Sequence, residues 1–311
     1  MSIWLPSKLG IDCQQNALFV VYDMEFVGPV NQFNKCNIWE IAAVVLPQTR
    51  IGDRDPKIKE EWARFHSVCH PVPIDQEIPP HVTSGNYHLV TKGFLKKSNA
   101  ISKKHCLETF LQFLLKNAMK CQKTSVILIS HGNMKSDKVV LENECGRHGI
   151  HIPGNILFYD TLHLFRRTFR KLNTYDLLNV HRQLKKGKNV KQTHRAVDDV
   201  CLLCDILIHT YPEKIELDGA AYCAYSTPLQ NLPGIGYGGE KRLLLGYGIK
   251  NIEDLVMRAV TVKATNPEAL TCMLNAHLAV PKIACQRISM ELIDSVLKLC
   301  EKQSTIIMNF K

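Results

Sequence analysis

The stretch ALFVVYDMEFVG, residues 17–28, is the one around which the rest of the chain is organised. It begins as a continuous apolar run from Ala17 to Tyr22, which is typical of a strand buried on both faces. Asp23 and Glu25 follow that run, and residues two apart in a strand point to the same side. Two carboxylates on one face repel each other unless a cation such as Mg²⁺ lies between them. The segment therefore predicts either a metal site or a strand that ends in a solvated acidic turn.

Length and charge narrow the class of protein. The chain has 311 residues, of which 45% are hydrophobic, so it has room for one large domain and a smaller one. It carries a formal charge of +10, from 39 Lys and Arg against 29 Asp and Glu, which favours an anionic partner and above all nucleic acid. A membrane surface is the competing partner, but no apolar run approaches membrane-spanning length, so we expect no membrane association.

The amino terminus and the cysteines indicate a compartment. The sequence MSIWLPSKLG lacks the long apolar core of a secretory signal. Twelve cysteines are scattered along the chain, and the close pair Cys201 and Cys204 has no second CxxC beside it, which favours core packing over a zinc site. We expect an intracellular, reducing compartment, without a distinction between nucleus and cytoplasm.

The order of elements predicts the fold class. Strands in an early meander are followed by alternating strands and helices, which is typical of an α/β domain with a mixed sheet. The predicted strands after the first are at 38–46, 62–70, 125–130 and 155–159, and the predicted helices are at 106–121, 136–148, 160–170, 174–184 and 195–211. Residues 1–16 are interpreted as a lead-in and 79–104 as a loop rich in Pro, Gly, Lys and Ser. A boundary near 212–225 precedes a small all-α domain at 225–311, with helices around 240–246, from 251, and on both sides of Pro281.

Two later acids also follow core elements. Asp137 comes after the strand SVILIS, at the start of a predicted helix, and Asp199 lies five residues after His194 in HRAVDD. Each acid alone is more typical of a helix cap or a surface position than of a metal ligand. Together with Asp23 and Glu25, they suggest a shared carboxylate site.

These segments resemble the three motifs of DnaQ-like 3′–5′ exonucleases. DMEFVG with NIWEIAAVV resembles the first motif, and HGNMKSDKVVLENECGRHGI resembles the second. HRAVDDV resembles the third, His-x-Ala-x-x-Asp, which marks the DEDDh subgroup. The resemblance implies a ribonuclease H-like mixed sheet flanked by helices, here a DEDDh exonuclease domain at residues 17–212. It also implies removal of nucleoside 5′-monophosphates from the 3′ ends of single-stranded DNA or RNA.

The resemblance assigns the catalytic roles as well. Asp23, Glu25, Asp137 and Asp199 would hold two Mg²⁺ or Mn²⁺ ions, and His194 would be the general base for the attacking water. Asp198 is an alternative ligand, although the register of the third motif favours Asp199. The second motif departs from the family's common form, because Gly132 is inserted between His131 and Asn133.

Several residues are predicted to contact nucleic acid. Met24, Phe26 and Val27 would contact the terminal nucleotide by stacking and sugar packing, although Phe26 is equally compatible with the core. Asn133 would orient the substrate or brace its loop. The basic loop before His194 would attract the phosphate backbone, or else form a solvated charged surface; its cations are Lys185, Lys186, Lys188 and Lys191, with Arg182 and Arg195 at its ends.

The carboxyl-terminal sequence LQNLPGIGYGGEKRLLLGYGIKNIEDL resembles a helix-hairpin-helix element. Such a turn lets backbone N–H groups approach a phosphate, and Gly234, Gly236 and Lys241 would be the contacts here. A hairpin that only packs, binds a protein partner or forms a homodimer is the alternative.

A second function from another class stays open, namely a non-catalytic nucleic-acid-binding or scaffold protein that keeps the exonuclease fold. The presence of all four acids together with His194 favours the enzyme, because a degenerate relative has usually lost one of them.

Overall fold

One mixed sheet forms the framework of the first two thirds of the chain. The computed structural model describes residues 14–28, 32–46, 62–71, 90–132, 136–169, 172–184, 195–211, 221–223, 237–277 and 282–309, and positions 215, 217, 229, 232, 234 and 235. Within these residues the strands are β1 (Ala17–Val27), β2 (Asn37–Leu46), β3 (Arg64–Val68), β4 (Ser125–Ser130), β5 (Ile156–Asp160) and β6 (Tyr222–Cys223). They lie in the order β3-β2-β1-β4-β5-β6.

The central position of β1 follows from its composition. It pairs with β2 in antiparallel and with β4 in parallel orientation, and its apolar residues are buried on both faces. The other pairs are β2–β3 antiparallel, β4–β5 parallel and β5–β6 antiparallel. The predicted ribonuclease H-like mixed sheet is therefore confirmed. The short edge strand β6 was not predicted, since two residues are too few to show a periodic pattern.

Six helices accompany the sheet in the described residues: α1 (Lys92–Lys97), α2 (Lys103–Lys120), α3 (Asp137–Arg147), α4 (Thr161–Thr168), α5 (Leu177–Leu184) and α6 (Ala196–Thr210). A 3-10 turn, Phe33–Lys35, precedes β2. Helix α1 lies in the stretch that the sequence predicted as a loop. The hydroxyl of Thr91 accepts a hydrogen bond from the Phe94 N–H and caps this helix. Helix α5 begins three residues later than predicted, because the Asp176 carboxylate accepts from the Asn179 N–H.

The alternation of side chains along β1 divides the core into two layers. Leu18, Val20 and Tyr22 belong to a cluster with α2 and α3. Ala17, Phe19 and Val21 belong to a cluster with α6 on the other face. The two neighbours of any β1 residue therefore face a different helix layer from that residue. This alternation decides from which side each helix can reach the end of the strand.

The chain splits into two compact units, Met1–Ala224 and Tyr225–Lys311. The second unit contains α7 (Tyr237–Tyr247), α8 (Ile252–Thr261), α9 (Pro267–His277) and α10 (Lys282–Asn309). Its own core includes Leu243, Leu255, Leu274 and Ile288, each of them fully buried. Helix α8 is capped by Asn251, whose side chain accepts from the Asp254 N–H.

None of the helices in the described residues is long and apolar enough to cross a membrane. Among the described residues, the cysteines that form no disulfide bond are Cys36, Cys69, Cys106, Cys121, Cys145, Cys201, Cys204, Cys272 and Cys285.

Candidate metal centre

Three carboxylates meet at the end of β1. Asp23 and Glu25 continue the face of the strand that packs against α6, and Asp199 lies one turn into that helix. One oxygen from each of these acids lies within 4.8 Å of the others. Asp199 is 8% exposed. Period-two alternation of the strand and the first turn of α6 therefore bring together acids that are far apart in the sequence.

Burial and the neighbouring charges both disfavour the ionised form of Glu25. Burial, with the charges of Asp23 and Asp199 next in importance, raises the pKa of Glu25 from 4.5 to about 9. Glu40 acts in the same direction and Arg195 opposes it. The cluster therefore disfavours full ionisation in the absence of a cation. Oxygen-only ligands with a strong tendency to protonate fit a hard divalent ion such as Mg²⁺ or Mn²⁺, whose charge would stabilise the ionised carboxylates.

Asp137 approaches from the other helix layer. It is the first residue of α3, which packs on the opposite face of the sheet from α6, and it is 2% exposed. Burial raises its pKa well above the ordinary value, and the charges of Asp23 and Glu25 raise it further. The structure thus places Asp137 within electrostatic reach of these two acids, although it is not part of the group whose oxygens lie within 4.8 Å of one another.

The structure separates the two adjacent acids of the third motif. Asp199 points into the cluster and is buried, whereas Asp198 is exposed on the same helix turn. His194, which directly precedes Arg195 in the sequence, lies outside the described residues. The same applies to Asn133, Lys185 and Lys186.

The three residues predicted to contact a nucleotide have different surroundings. Met24 is 4% exposed and packs in the layer of α2 and α3, and Val27 is 1% exposed and packs against Trp39. Phe26 is only partly buried, and its ring meets that of Phe33 edge-on at 6.0 Å. Contacts from Met24 and Val27 to a nucleotide would therefore have to come from their backbone, and Phe26 has the accessible side chain.

The loop after β4 is held by His131. Its Nδ1 lies 2.9 Å from the Thr161 hydroxyl, and its Nε2 lies 2.5 Å from the Tyr175 carbonyl. Burial lowers the pKa of His131. The inserted Gly132 has a positive φ of 71°, and its N–H donates to Asp160 at 2.7 Å. The departure from the common second motif thus places a glycine where the backbone is left-handed.

Of the predicted phosphate contacts in the second unit, Gly234 is described. It is an exposed turn residue with a φ of 80°, and a Cβ at this position would lie 3.0 Å from the Ala284 side chain. Gly236 and the Lys241 side chain lie outside what the structure describes. Phosphate binding by this turn stays a prediction.

Sequence reasoning missed Glu40 and gave Arg195 a different partner. Glu40 is 0% exposed, and the Arg195 guanidinium, predicted to attract nucleic acid, donates to it from Nε and Nη2. Hydrogen bonds from His66 and Arg195 lower the pKa of Glu40 although burial opposes this. The sequence signal that could have identified Glu40 is that it is the one charged residue inside the apolar strand NIWEIAAVVL.

Comparison with known proteins identifies a matching family model. The family model described as Exonuclease matches residues 20–207, which contain Asp23, Glu25, Asp137 and Asp199. No curated protein matches the chain. A solved structure of cell-death related nuclease 4 is similar at 14% identity and a TM-score of 0.43, and the match covers 61% of this chain and 62% of that one. Since the family model spans more than half of its residues, the chain belongs to the exonuclease family.

Proposed function

We propose that the first unit is a metal-dependent 3′–5′ exonuclease of the DEDDh type, acting on single-stranded DNA or RNA. The observation that carries this proposal is the meeting of Asp23, Glu25 and Asp199, with oxygens within 4.8 Å of one another, in a chain of the exonuclease family. The raised pKa of Glu25 supports it, because buried carboxylates that repel one another are stabilised in their ionised form by a bound cation.

Each acid has a distinct part in this proposal. Asp23, Glu25 and Asp199 form the shared carboxylate set, and Asp137 adds a fourth carboxylate from α3. Two bound Mg²⁺ or Mn²⁺ ions would supply an activated water and neutralise charge on the phosphate. The apolar layers on both sides of β1 keep the carboxylates fixed, which reduces the reorganisation needed when substrate binds.

His194 is proposed as the general base. Imidazole titrates near neutral pH and can take a proton from water at the operating pH. Its sequence position beside Arg195 supports this role, since Arg195 is anchored next to the carboxylate cluster. The direction of digestion follows from the family resemblance of the three motifs.

A labelled-end assay tests the proposal. Single-stranded DNA and RNA carrying a 5′ label are incubated with the protein in Mg²⁺ and, separately, in EDTA. We expect a ladder that shortens stepwise in Mg²⁺ and no cleavage in EDTA, while a 3′ label is released at once as a mononucleotide. Binding of both nucleic acids without any cleavage would instead support the non-catalytic alternative.

Two adjacent aspartates provide matched variants. Asp199→Ala removes the buried carboxylate of the cluster, and we expect it to abolish cleavage with an unchanged circular dichroism spectrum. Asp198→Ala removes an exposed carboxylate from the same turn of α6 and should retain activity. Undiminished activity of Asp199→Ala would contradict the assignment.

A further inference from the structure

The start of α6 is held by a residue from the sheet. Arg195 is the N-cap of this helix, and its own side chain does not accept from the first N–H groups of the helix. The Glu40 carboxylate from β2 does so instead, since the Ala196 N–H donates to its Oε2 at 3.2 Å. A carboxylate is also favourably placed beside the positive end of a helix. Glu40 therefore caps α6 from another element.

The Arg195 side chain strengthens the same link. Its Nε lies 3.0 and 2.9 Å from the two Glu40 oxygens, and its Nη2 lies 2.6 Å from Oε1. The guanidinium carbon lies 5.1 Å from the ring centre of Phe94 and 5.9 Å from that of Trp39. His66 from β3 adds a contact of 2.8 Å between its Nε2 and Oε1. This carboxylate thus connects two strands to the beginning of a helix.

The location of Glu40 relates this link to the metal centre. Glu40 lies directly opposite Glu25 in the β1–β2 pair. On the helix side, the Arg195 carbonyl accepts a hydrogen bond from the Asp199 N–H at 3.1 Å. Glu40 is therefore the strand neighbour of Glu25, and its partner Arg195 begins the helix turn that carries Asp199.

We propose that Glu40 is a positioning residue that fixes Asp199 against Asp23 and Glu25 by anchoring the start of α6 through Arg195. This inference rests on the proposed function, because it concerns the geometry of the same carboxylate set. Buried ion pairs add little net stability, since desolvation opposes their attraction, so stability alone does not explain a fully buried glutamate here. Fixing the ligands to well below an ångström is the benefit that a metal site gains from such an anchor.

Glu40→Gln tests the inference, with Glu144→Gln as the matched control. The glutamine keeps the shape of the side chain but removes the charge that Arg195 requires. Glu144 is also 0% exposed and also accepts from an arginine, Arg147 at 2.7 Å, with Lys103 at 3.2 Å. It follows Asp137 by seven residues in α3, which is about 10 Å along the helix axis. Both variants lose a buried charge pair, and only one of them should disturb the metal site.

Mn²⁺ binding to the full chain, followed by electron paramagnetic resonance, is the readout that does not depend on activity. We expect Glu40→Gln to weaken Mn²⁺ binding by about 10- to 100-fold, which is the usual effect of losing a residue that orients metal ligands. Glu144→Gln should bind Mn²⁺ as the unmodified protein does, even where the two variants are equally destabilised to heat. If Glu40→Gln does not fold, Arg195→Lys, which keeps the charge but loses the two-pronged donor, should show a smaller loss of the same kind.

The outcomes are distinguishable. Equal Mn²⁺ binding by Glu40→Gln and the unmodified protein overturns the positioning role and leaves the proposed function intact. Equal losses in Glu40→Gln and Glu144→Gln also overturn it, because the effect is then one of general destabilisation. If the unmodified protein itself binds no Mn²⁺, and Asp23→Asn leaves the cleavage of nucleic acid unchanged, the proposed function fails together with the inference.

Discussion

Glu25→Gln should change how the stability of the metal-free protein depends on pH. The pKa of Glu25 is raised from 4.5 to about 9 in the folded protein, so folded Glu25 retains a proton that unfolded Glu25 releases between these values. Its contribution to stability is therefore complete below the unfolded pKa and is lost as pH rises through the folded one. Glutamine does not titrate, so the stability of Glu25→Gln should not fall with rising pH for this reason.

The size of the effect follows from the same shift. Each pH unit between the two pKa values costs about 1.4 kcal/mol, so the unmodified protein should lose up to about 4 kcal/mol relative to the variant between roughly pH 5 and pH 8. The shared titration of the cluster spreads this loss over several acids, which makes the figure an upper bound. The loss should increase steadily with pH over the whole interval.

Urea unfolding in EDTA, followed by tryptophan fluorescence, measures this difference. Trp4, Trp39 and Trp62 all precede residue 225, so the signal reports on the first unit. Glu268→Gln, which changes an exposed glutamate in the second unit, is the control and should follow the unmodified protein. Parallel stability curves for Glu25→Gln and the unmodified protein would refute the electrostatic reasoning.

A divalent ion should reverse the loss. A ligand that binds only the folded state stabilises it by about 2.7 kcal/mol at a hundred times its dissociation constant. At high pH, Mn²⁺ should therefore stabilise the unmodified protein more than Glu25→Gln. Equal stabilisation of both proteins would show that Glu25 is not a ligand.

Three further changes test the packing and the backbone. Phe110→Ala should destabilise the first unit by about 3–5 kcal/mol in urea unfolding, because this ring is fully buried against Phe65. Gly28→Ala should lower the midpoint of thermal unfolding, since a Cβ there would lie 2.9 Å from the Cys36 Cα and the φ is 147°; an unchanged midpoint would contradict the described backbone. Asn251→Ala should cost the second unit about 1 kcal/mol, because it removes the cap of α8, and far-ultraviolet circular dichroism during unfolding measures this.

Long periodic segments were predictable because their pattern is local. The strand Ser125–Ser130 has its predicted bounds, and the helix predicted at 195–211 is observed as Ala196–Thr210. Short or polar elements escaped prediction. Helix α1 has the sequence KGFLKK, in which capping by Thr91 and packing of Phe94 against Trp39 replace any apolar stripe.

The candidate site was predictable to the extent that its motifs are compact. The same-face position of Asp23 and Glu25 follows from strand alternation alone. The choice between Asp198 and Asp199 does not, because helix periodicity does not say which side of a first turn meets a sheet. The structure places Asp199 in the cluster and Asp198 outside it.

The order of residues along the chain is enough to show which residue types are available and in what local geometry. It gave the apolar core of β1, two acids at its end, and a later helix that begins with a third acid. Only the tertiary structure joined Glu40 to Arg195, which are 155 positions apart, and Asp23 to Asp199. The physical reason is that periodicity acts over a few neighbouring residues, whereas partners across the sheet are chosen by strand register and helix packing.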